Sequence, residues 1–465
     1  MRVKCRGPNR PARRGPRRHT ALVASFIRHR DPHATTQDNR VLERIDPAIA
    51  GFSPQRLSRV SSWLREQIDS ERLAGASVLV ARRGRVALLD ACGLADRELG
   101  KHFAEDTIVR IYSMTKAVTT VAAMMLYEEG AFQLDDPVSR YLPAFTHTPV
   151  WQGGDAPLDR TEPQARPITV RQLMTHTSGL TYGFMQANVV DAAYREAGIE
   201  FPGSNCTLAE LVDRLAGLPL LCQPGSQWNY GVSTDVLGRL VEIWSGQSLA
   251  GFFAERIFAP LRMLDSGFHV AEPNHARFAA LYAPGSGADL SNVGRTTRSA
   301  RTATASGLKL QESSRQSPFL RAPTLYSGGG GLTSSIGDYA RFCQMLLDRG
   351  TLDGNRLLGR KTVEYMRLNH LPDNRDMAAM GQPVWSETSY DGIGFGLGFA
   401  VVTDPVKASM VTSTGEHHWG GAASTFFWLD PQESLFVVFF TQLMPSSTYP
   451  IRRELRTRVY QALVD

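Results

Sequence analysis

Ser113, Met114, Thr115 and Lys116 put a primary amine three residues after a hydroxyl. They stand where an apolar strand-like stretch (Thr107, Ile108, Val109, Ile111, Tyr112) gives way to a long helical one. Positions three apart on a helix share a face, with Cβ atoms roughly 5–6 Å apart, so the Lys116 amine can fold back onto the Ser113 hydroxyl. The first helical turn carries unpaired N–H groups and a partial positive charge, which favour a developing oxyanion and disfavour a second cation. Both effects help Lys116 shed its proton and Ser113 attack a carbonyl. A second pair with the same spacing, Ser306 and Lys309, has no apolar helix behind it. It falls within residues 294–317, a stretch rich in Ser, Thr, Arg and Gly that is expected to be a surface loop.

The elements that must position the pair can be read from patterning. Pro54 to Asp69 repeats Leu57, Val60, Leu64 and Ile68 at helical spacing behind Ser53, a candidate cap. Ala76 to Arg82 and Arg85 to Ala91 flank Arg83-Gly84, a hairpin signal. Lys116 opens an apolar helical run ending at Gly130, and helices are also expected at Val170–Thr175, Leu208–Leu215, Ser233–Ser245 and, after Gly328–Gly331, at Leu332–Leu347. Strands are expected at Phe395–Val402, Ser424–Leu429 and Leu435–Thr441, followed by a helix from Ile451 to Leu463. Strands near both ends of the chain around a helical middle imply an α/β (α+β) architecture, one antiparallel sheet with flanking helices and an inserted helical lobe. The expected organisation is a basic extension over 1–44 and one domain over 45–465, its α/β part at about 45–135 and 325–465 and its helical lobe at about 136–324.

Composition narrows the function classes. With 42% hydrophobic and 21% charged residues in 465, the chain has the make-up of a globular enzyme. Its net charge of +6 is confined to the start: residues 1–30 hold ten Lys/Arg and no acid, leaving the remainder at −4. The apolar patch Ala21–Ile27 is short for a secretory signal and has no small-residue cleavage site after it, so the expected location is cytoplasmic. No aromatic residues interleave with those arginines, so nucleic acid is not an expected partner. No apolar run approaches the ~18–20 residues of a membrane span. Cys5, Cys92, Cys206, Cys222 and Cys343 lack metal or redox spacing and are expected as reduced thiols. His417 and His418 are adjacent rather than one helical turn apart, so no metal is expected, and attack by a serine on a carbonyl needs no organic cofactor.

Six motifs in order turn these readings into a resemblance: Tyr112-Ser-Met-Thr-Lys116; Leu134-Asp-Asp-Pro137 to Tyr141-Leu-Pro143; Ile168 to Leu180, containing Thr175-His-Thr-Ser-Gly179; Trp228-Asn-Tyr-Gly-Val232 to Gly238; Gly328-Gly-Gly-Gly-Leu332; and Trp419-Gly-Gly421. In these the chain resembles the serine β-lactamase and penicillin-binding superfamily, class C-like and closest to family VIII carboxylesterases, over roughly residues 48–463. The resemblance implies a β-lactamase/transpeptidase-like fold. It also implies Ser113 as nucleophile, Lys116 and Tyr230 as shared base, and an oxyanion and substrate pocket from Ser113, Trp419, Gly420, Gly421 and Ala422. The implied partner is a small-molecule ester.

Two departures from the family pattern matter. Val232 stands where the motif after Tyr230 has asparagine, and Trp419-Gly420-Gly421 replaces the Lys-Thr-Gly that grips a β-lactam carboxylate. Losing those charge-assisted donors favours neutral, short-chain esters over penicillins. Trp228 and Tyr182 are expected as pocket wall or core, His176 as a hydrogen-bonded scaffold residue and His147 as solvated. No G-x-S-x-G occurs, which argues against an α/β-hydrolase triad. The alternatives are a β-lactamase or D-amino-acid peptidase, an acyltransferase, and a catalytically silent binding homologue.

Overall fold

The run Leu435–Thr441 has no polar alternation, because both faces of its strand are covered. In the computed structural model, which describes residues 42–199, 205–285, 307–381, 390–446 and 448–465, Leu435, Val437 and Phe439 pack with Trp63, Leu64, Leu455 and Val459. Phe436, Val438 and Phe440 point the other way, into a core shared with Val118, Val121, Tyr339 and Phe342. The period of two along one strand therefore divides the interior into two layers. The basic segment 1–30, Cys5 and Ser306 lie outside the described residues.

Helix α1 (Pro54–Asp69) starts at Ser53, whose side chain accepts from the Arg56 N–H at 3.3 Å, and Pro54 takes the first helical position. Strands β1 (Gly75–Arg82) and β2 (Arg85–Asp96) form the expected hairpin. Its two turn residues, Arg83 and Gly84, both have positive φ (53° and 78°), the twist a two-residue hairpin requires. A short β3 (Lys101–His102) follows, then helix α2 (Thr115–Glu128), buried from Thr115 to Leu126. Helix α3 (Ser233–Ser245) packs beside it, and α4 (Ile336–Leu347) packs on the sheet. The chain then returns to the sheet through β4 (Ile393–Phe395), β5 (Ala400–Val402), β6 (His417–Gly420), β7 (Phe426–Asp430) and β8 (Leu435–Thr441), and closes with α5 (Ile451–Tyr460). The strand order is β4-β5-β6-β7-β8-β1-β2-β3, antiparallel at every pair. One sheet is thus built from both ends of the chain, as expected, and β1 pairs with β8 from Ala76↔Thr441 to Arg82↔Leu435.

Four local expectations need correction. Phe395–Val402 is not one strand: Gly398, at φ 91°, turns the chain between β4 and β5, and its missing Cβ would lie 2.6 Å from Thr120 Oγ1. Leu332 does not open α4, since Thr333–Ser335 is first a strand paired with Ile108–Arg110 and Ser335 then caps the helix. The strand-like stretch before Ser113 accordingly belongs to this separate two-stranded ladder and not to the main sheet. Within the expected 294–317 loop, Leu308–Glu312 is a strand paired with Leu281–Pro284, which removes Lys309 from any helical spacing.

Candidate active site

Ser113 sits between a strand and a helix that are tied down independently. Ile108–Arg110 is held by Thr333–Ser335, and Ile111 N–H donates to Leu332 O at 3.0 Å. Arg110, fully buried, donates to Ala279 O at 2.8 Å and Glu312 Oε1 at 3.0 Å. Tyr112 then takes a left-handed φ of 41°, and Tyr112–Met114 forms one tight turn leading into α2. Such a conformation in a non-glycine residue costs on the order of 1–3 kcal/mol and persists only where its surroundings enforce it. Here it sets the Ser113 hydroxyl at the mouth of the helix, with the Ser113 N–H among the orphan donors of a helix start.

Lys116 is 1% exposed, and its amine has three neighbours: Ser113 Oγ at 3.2 Å, Tyr182 OH at 3.0 Å and Gly329 O at 2.6 Å. A neutral amine has two N–H donors and one lone pair. The Gly329 carbonyl can only accept, so it takes one N–H; with the second on the Tyr182 oxygen, the lone pair is left for the Ser113 proton. Burial lowers the Lys116 pKa to about 7, against a smaller upward pull from the Asp235 carboxylate.

The tetraglycine run explains itself at this point. It threads between α2 and α3, where a Cβ on Gly328 would lie 2.7 Å from Thr234 O and one on Gly329 only 2.4 Å from Asp235 Oδ2. Thr119 Oγ1 donates to Gly328 O at 2.7 Å, and Asp235 Oδ1 accepts from Gly329 N–H at 3.0 Å and from Ser327 Oγ at 2.5 Å. Asp235 therefore fixes the peptide whose carbonyl receives the lysine N–H. Burial pushes its own carboxyl pKa up, with Ser327 and Lys116 opposing.

Tyr230 is 1% exposed, with its ring centroid 4.7 Å from Lys116 Nζ and its hydroxyl hydrogen-bonded to the Ser113 side chain. Burial raises its pKa and the bond to Ser113 pulls it back. The small residue after it is dictated by contact: a Cβ on Gly231 would lie 2.3 Å from Leu180 O. Val232, in the place of the family's asparagine, donates its backbone N–H to Thr181 O at 3.2 Å. Trp419 on β6 closes the other side, with ring centroids 5.4 Å from Tyr230 and 5.3 Å from Phe395. Gly421 lies against the segment before Ser113, since a Cβ there would be 2.3 Å from Ile111 O. Its N–H, however, donates to Thr425 O at 2.8 Å and is thus already engaged within the chain. Gly420 faces away, toward Arg452, whose Nη2 would be 2.7 Å from a Cβ at that position.

Sequence reasoning missed two residues. Tyr182, expected as wall or core, puts its hydroxyl on the lysine amine; its position two residues past the Thr175–Leu180 motif was the available signal. Asp235, within the Trp228–Gly238 motif, was legible as a carboxylate in the first turn of a helix, beside the apolar Val236, Leu237, Leu240 and Val241. His176 is buried among Trp228, Tyr230 and Phe395, but among the described residues its Nδ1 has no hydrogen-bond partner, contrary to the fully bonded residue expected. Burial and the nearby Lys116 hold it neutral, well below the usual imidazole range. His147 is exposed at the end of a short turn. His418 pairs with Glu416 at 3.0 Å, and His417 Nδ1 lies 3.2 Å from Gly415 O.

Comparison with known proteins bears on the family and the fold. The Beta-lactamase family model matches residues 60–461. Protein Rv1367c of Mycobacterium tuberculosis is 35% identical over 386 residues, 82% of this chain and 89% of that protein. Esterase EstB of Burkholderia gladioli is 31% identical over 428 residues, 90% of this chain and 98% of the relative. The solved structure of EstCE1, a hydrolase with promiscuous acyltransferase activity, superposes with a TM-score of 0.70 at 29% identity, over 88% of this chain and 99% of that one. With a family match across most of its length and this sheet-and-helix architecture, the chain belongs to the Beta-lactamase family.

Proposed function

We propose that this protein is a serine hydrolase that cleaves short-chain carboxylic esters through an acyl-enzyme. The observation that carries the reading is the buried Lys116 amine, 3.2 Å from Ser113 Oγ and with a pKa lowered to about 7. A base with that pKa is neutral in a large fraction of molecules at neutral pH and can take the serine proton. Ser113 Oγ bonds to the ester carbonyl carbon while its proton passes to Lys116 Nζ. The N–H groups of Ser113 and Ala422 receive the oxyanion. The C–O bond to the alcohol then breaks as Tyr230 gives its hydroxyl proton to the leaving oxygen and takes in exchange the proton held on Lys116, which returns to the neutral amine. Water attacks the acyl-enzyme along the reverse path and restores Ser113. Tyr182 keeps the lysine lone pair turned toward Ser113, and Asp235 holds Gly329 so that its carbonyl does the same.

The third motif supports the choice of neutral esters. Trp419 and two glycines supply no cation for a β-lactam carboxylate, and EstB is named as an esterase. The test is hydrolysis of p-nitrophenyl butyrate beside a chromogenic cephalosporin, with fluorophosphonate labelling mapped by mass spectrometry. Ester turnover well above cephalosporin turnover, with label on the Ser113 peptide that disappears in Ser113→Ala, is the expected result. No turnover of any short acyl ester, or label elsewhere, overturns the proposal. A second reading, acyl transfer to an alcohol, is favoured by the acyltransferase activity in the name of EstCE1. It shares the acyl-enzyme and differs in the acceptor, so added alcohol should yield a new ester at the expense of free acid.

A further inference from the structure

At the opposite end of the sheet from Ser113, three arginines converge on a second concavity. Gly421 and Gln442, which contact the residues before Ser113, lie at the end where Ala76 pairs with Thr441. The Arg83–Gly84 turn lies at the other end, where Arg82 pairs with Leu435, roughly 20 Å away at ~3.3 Å per residue. That turn, the end of α4 and the Pro431–Ser434 turn enclose a cavity of about 440 Å³ lined by Arg83, Arg349, Arg367, Gln344, Asp348 and Ser434 among others.

Exposed arginines are ordinarily just hydrated, so their number alone identifies nothing. Three observations separate this cluster from that case. Arg83 has a carboxylate partner, Asp465 at 3.1 Å, whereas Arg349 and Arg367 have no side-chain partner among the described residues. Arg367 is partly withdrawn from solvent, and burial, together with the Arg349 charge, lowers its pKa while Glu364 opposes. Gln344 is 1% exposed and lines the same cavity; among the described residues its amide oxygen has no hydrogen bond, and its Nε2 makes only a weak contact with the Asp348 carboxylate. An underbonded buried amide is costly, and two guanidinium groups without side-chain partners beside it add to that. Gly84 lies over the amide, where a Cβ would come into van der Waals contact at 3.9 Å from Gln344 Nε2.

We propose that this cavity binds the oxyanion of a small molecule, a phosphate or carboxylate group held by the Arg349 and Arg367 guanidinium forks with Gln344 Nε2 donating beneath it. Planar guanidinium groups match both anions through paired N–H donors. Asp348 is the opposing element on the rim; burial pushes its carboxyl pKa up and the Gln344 amide moderates the push. The site makes no use of Ser113 and stands whether or not the esterase reading holds.

Isothermal titration calorimetry on the full chain tests the proposal, with sodium phosphate and sodium succinate as probes in sodium chloride of matched ionic strength. Wild type and Ser113→Ala should bind at least one probe alike. Affinity should fall about tenfold or more in Arg349→Gln/Arg367→Gln, and remain in Arg360→Gln, whose arginine is paired with Glu364 outside the cavity. Binding of phosphate alone identifies a phosphoryl ligand, and binding of succinate alone a carboxylate one. Absence of binding by either probe, loss in Ser113→Ala, or unchanged affinity in a folded double variant overturns the assignment.

Discussion

A lysine works as a base at neutral pH only when its surroundings make the ammonium costly, and at Lys116 burial does so. In the proposed mechanism the active form is the neutral amine, so kcat/KM for an ester should fall as pH drops through about 7. Asp235 pulls the same pKa upward, and Asp235→Asn keeps the oxygen that accepts from Gly329 while removing the charge. This variant should move the acid limb of the pH profile to lower pH; an unmoved limb would mean that Asp235 acts without its charge. The same shift gives stability a sign. Between the folded value of about 7 and the ordinary 10.5 the unfolded chain binds more protons at this site, so stability from this group rises with pH across that window. The two tyrosines should separate by role. Tyr230→Phe removes a proton donor and should lower kcat by about 10²–10⁴-fold. Tyr182→Phe removes only an orienting partner of the amine and should cost less in steady-state ester hydrolysis.

At the element scale three approaches to neighbouring elements leave no room for a Cβ, and the glycines mark where. Gly231 touches Leu180, Gly329 touches Asp235 and Gly421 touches Ile111. Each contact joins an element bearing one site residue to an element bearing another. Gly231→Ala would set a Cβ 2.3 Å from Leu180 O and 2.7 Å from Thr181 Cα, both backbone and unable to swing aside. It should destabilise the protein by about 1–3 kcal/mol in chemical denaturation. It should also depress kcat disproportionately, because Tyr182 and Tyr230 flank that contact.

For the molecule as a whole, the last helix locks the strand that carries Trp419. Arg456 on α5 donates to Glu416, fully buried just before β6, at 2.8 Å, and Glu416 also meets His418. Burial alone would raise the Glu416 pKa, but Arg456 and His418 outweigh it and hold the carboxyl well below its usual range. Stability from this pair is therefore present above the ordinary carboxylate pKa and lost as pH falls through the depressed one. Arg456→Ala leaves a buried carboxylate without its cation and should cost about 3–5 kcal/mol, read as a lower denaturant midpoint. No helix among the described residues is long and apolar enough to cross a membrane.

Local physics made much of this legible before any fold was known. Helix α1 from Pro54 to Asp69, the Arg83-Gly84 hairpin and α3 from Ser233 to Ser245 follow from caps, turn residues and apolar spacing, which act within a few residues. The Ser113–Lys116 approach is likewise one turn of one helix. What folding alone decided is everything that depends on distant backbone. Tyr182 reaches Lys116 across 66 positions and Gly329 across 213, and the break of Phe395–Val402 into a hairpin follows from Gly398 meeting Thr120. A sequence states which groups can donate, accept or ionise. Which of them lose water together, and so change pKa and act on one another, is set by packing, because desolvation belongs to the assembled interior and not to any segment of the chain.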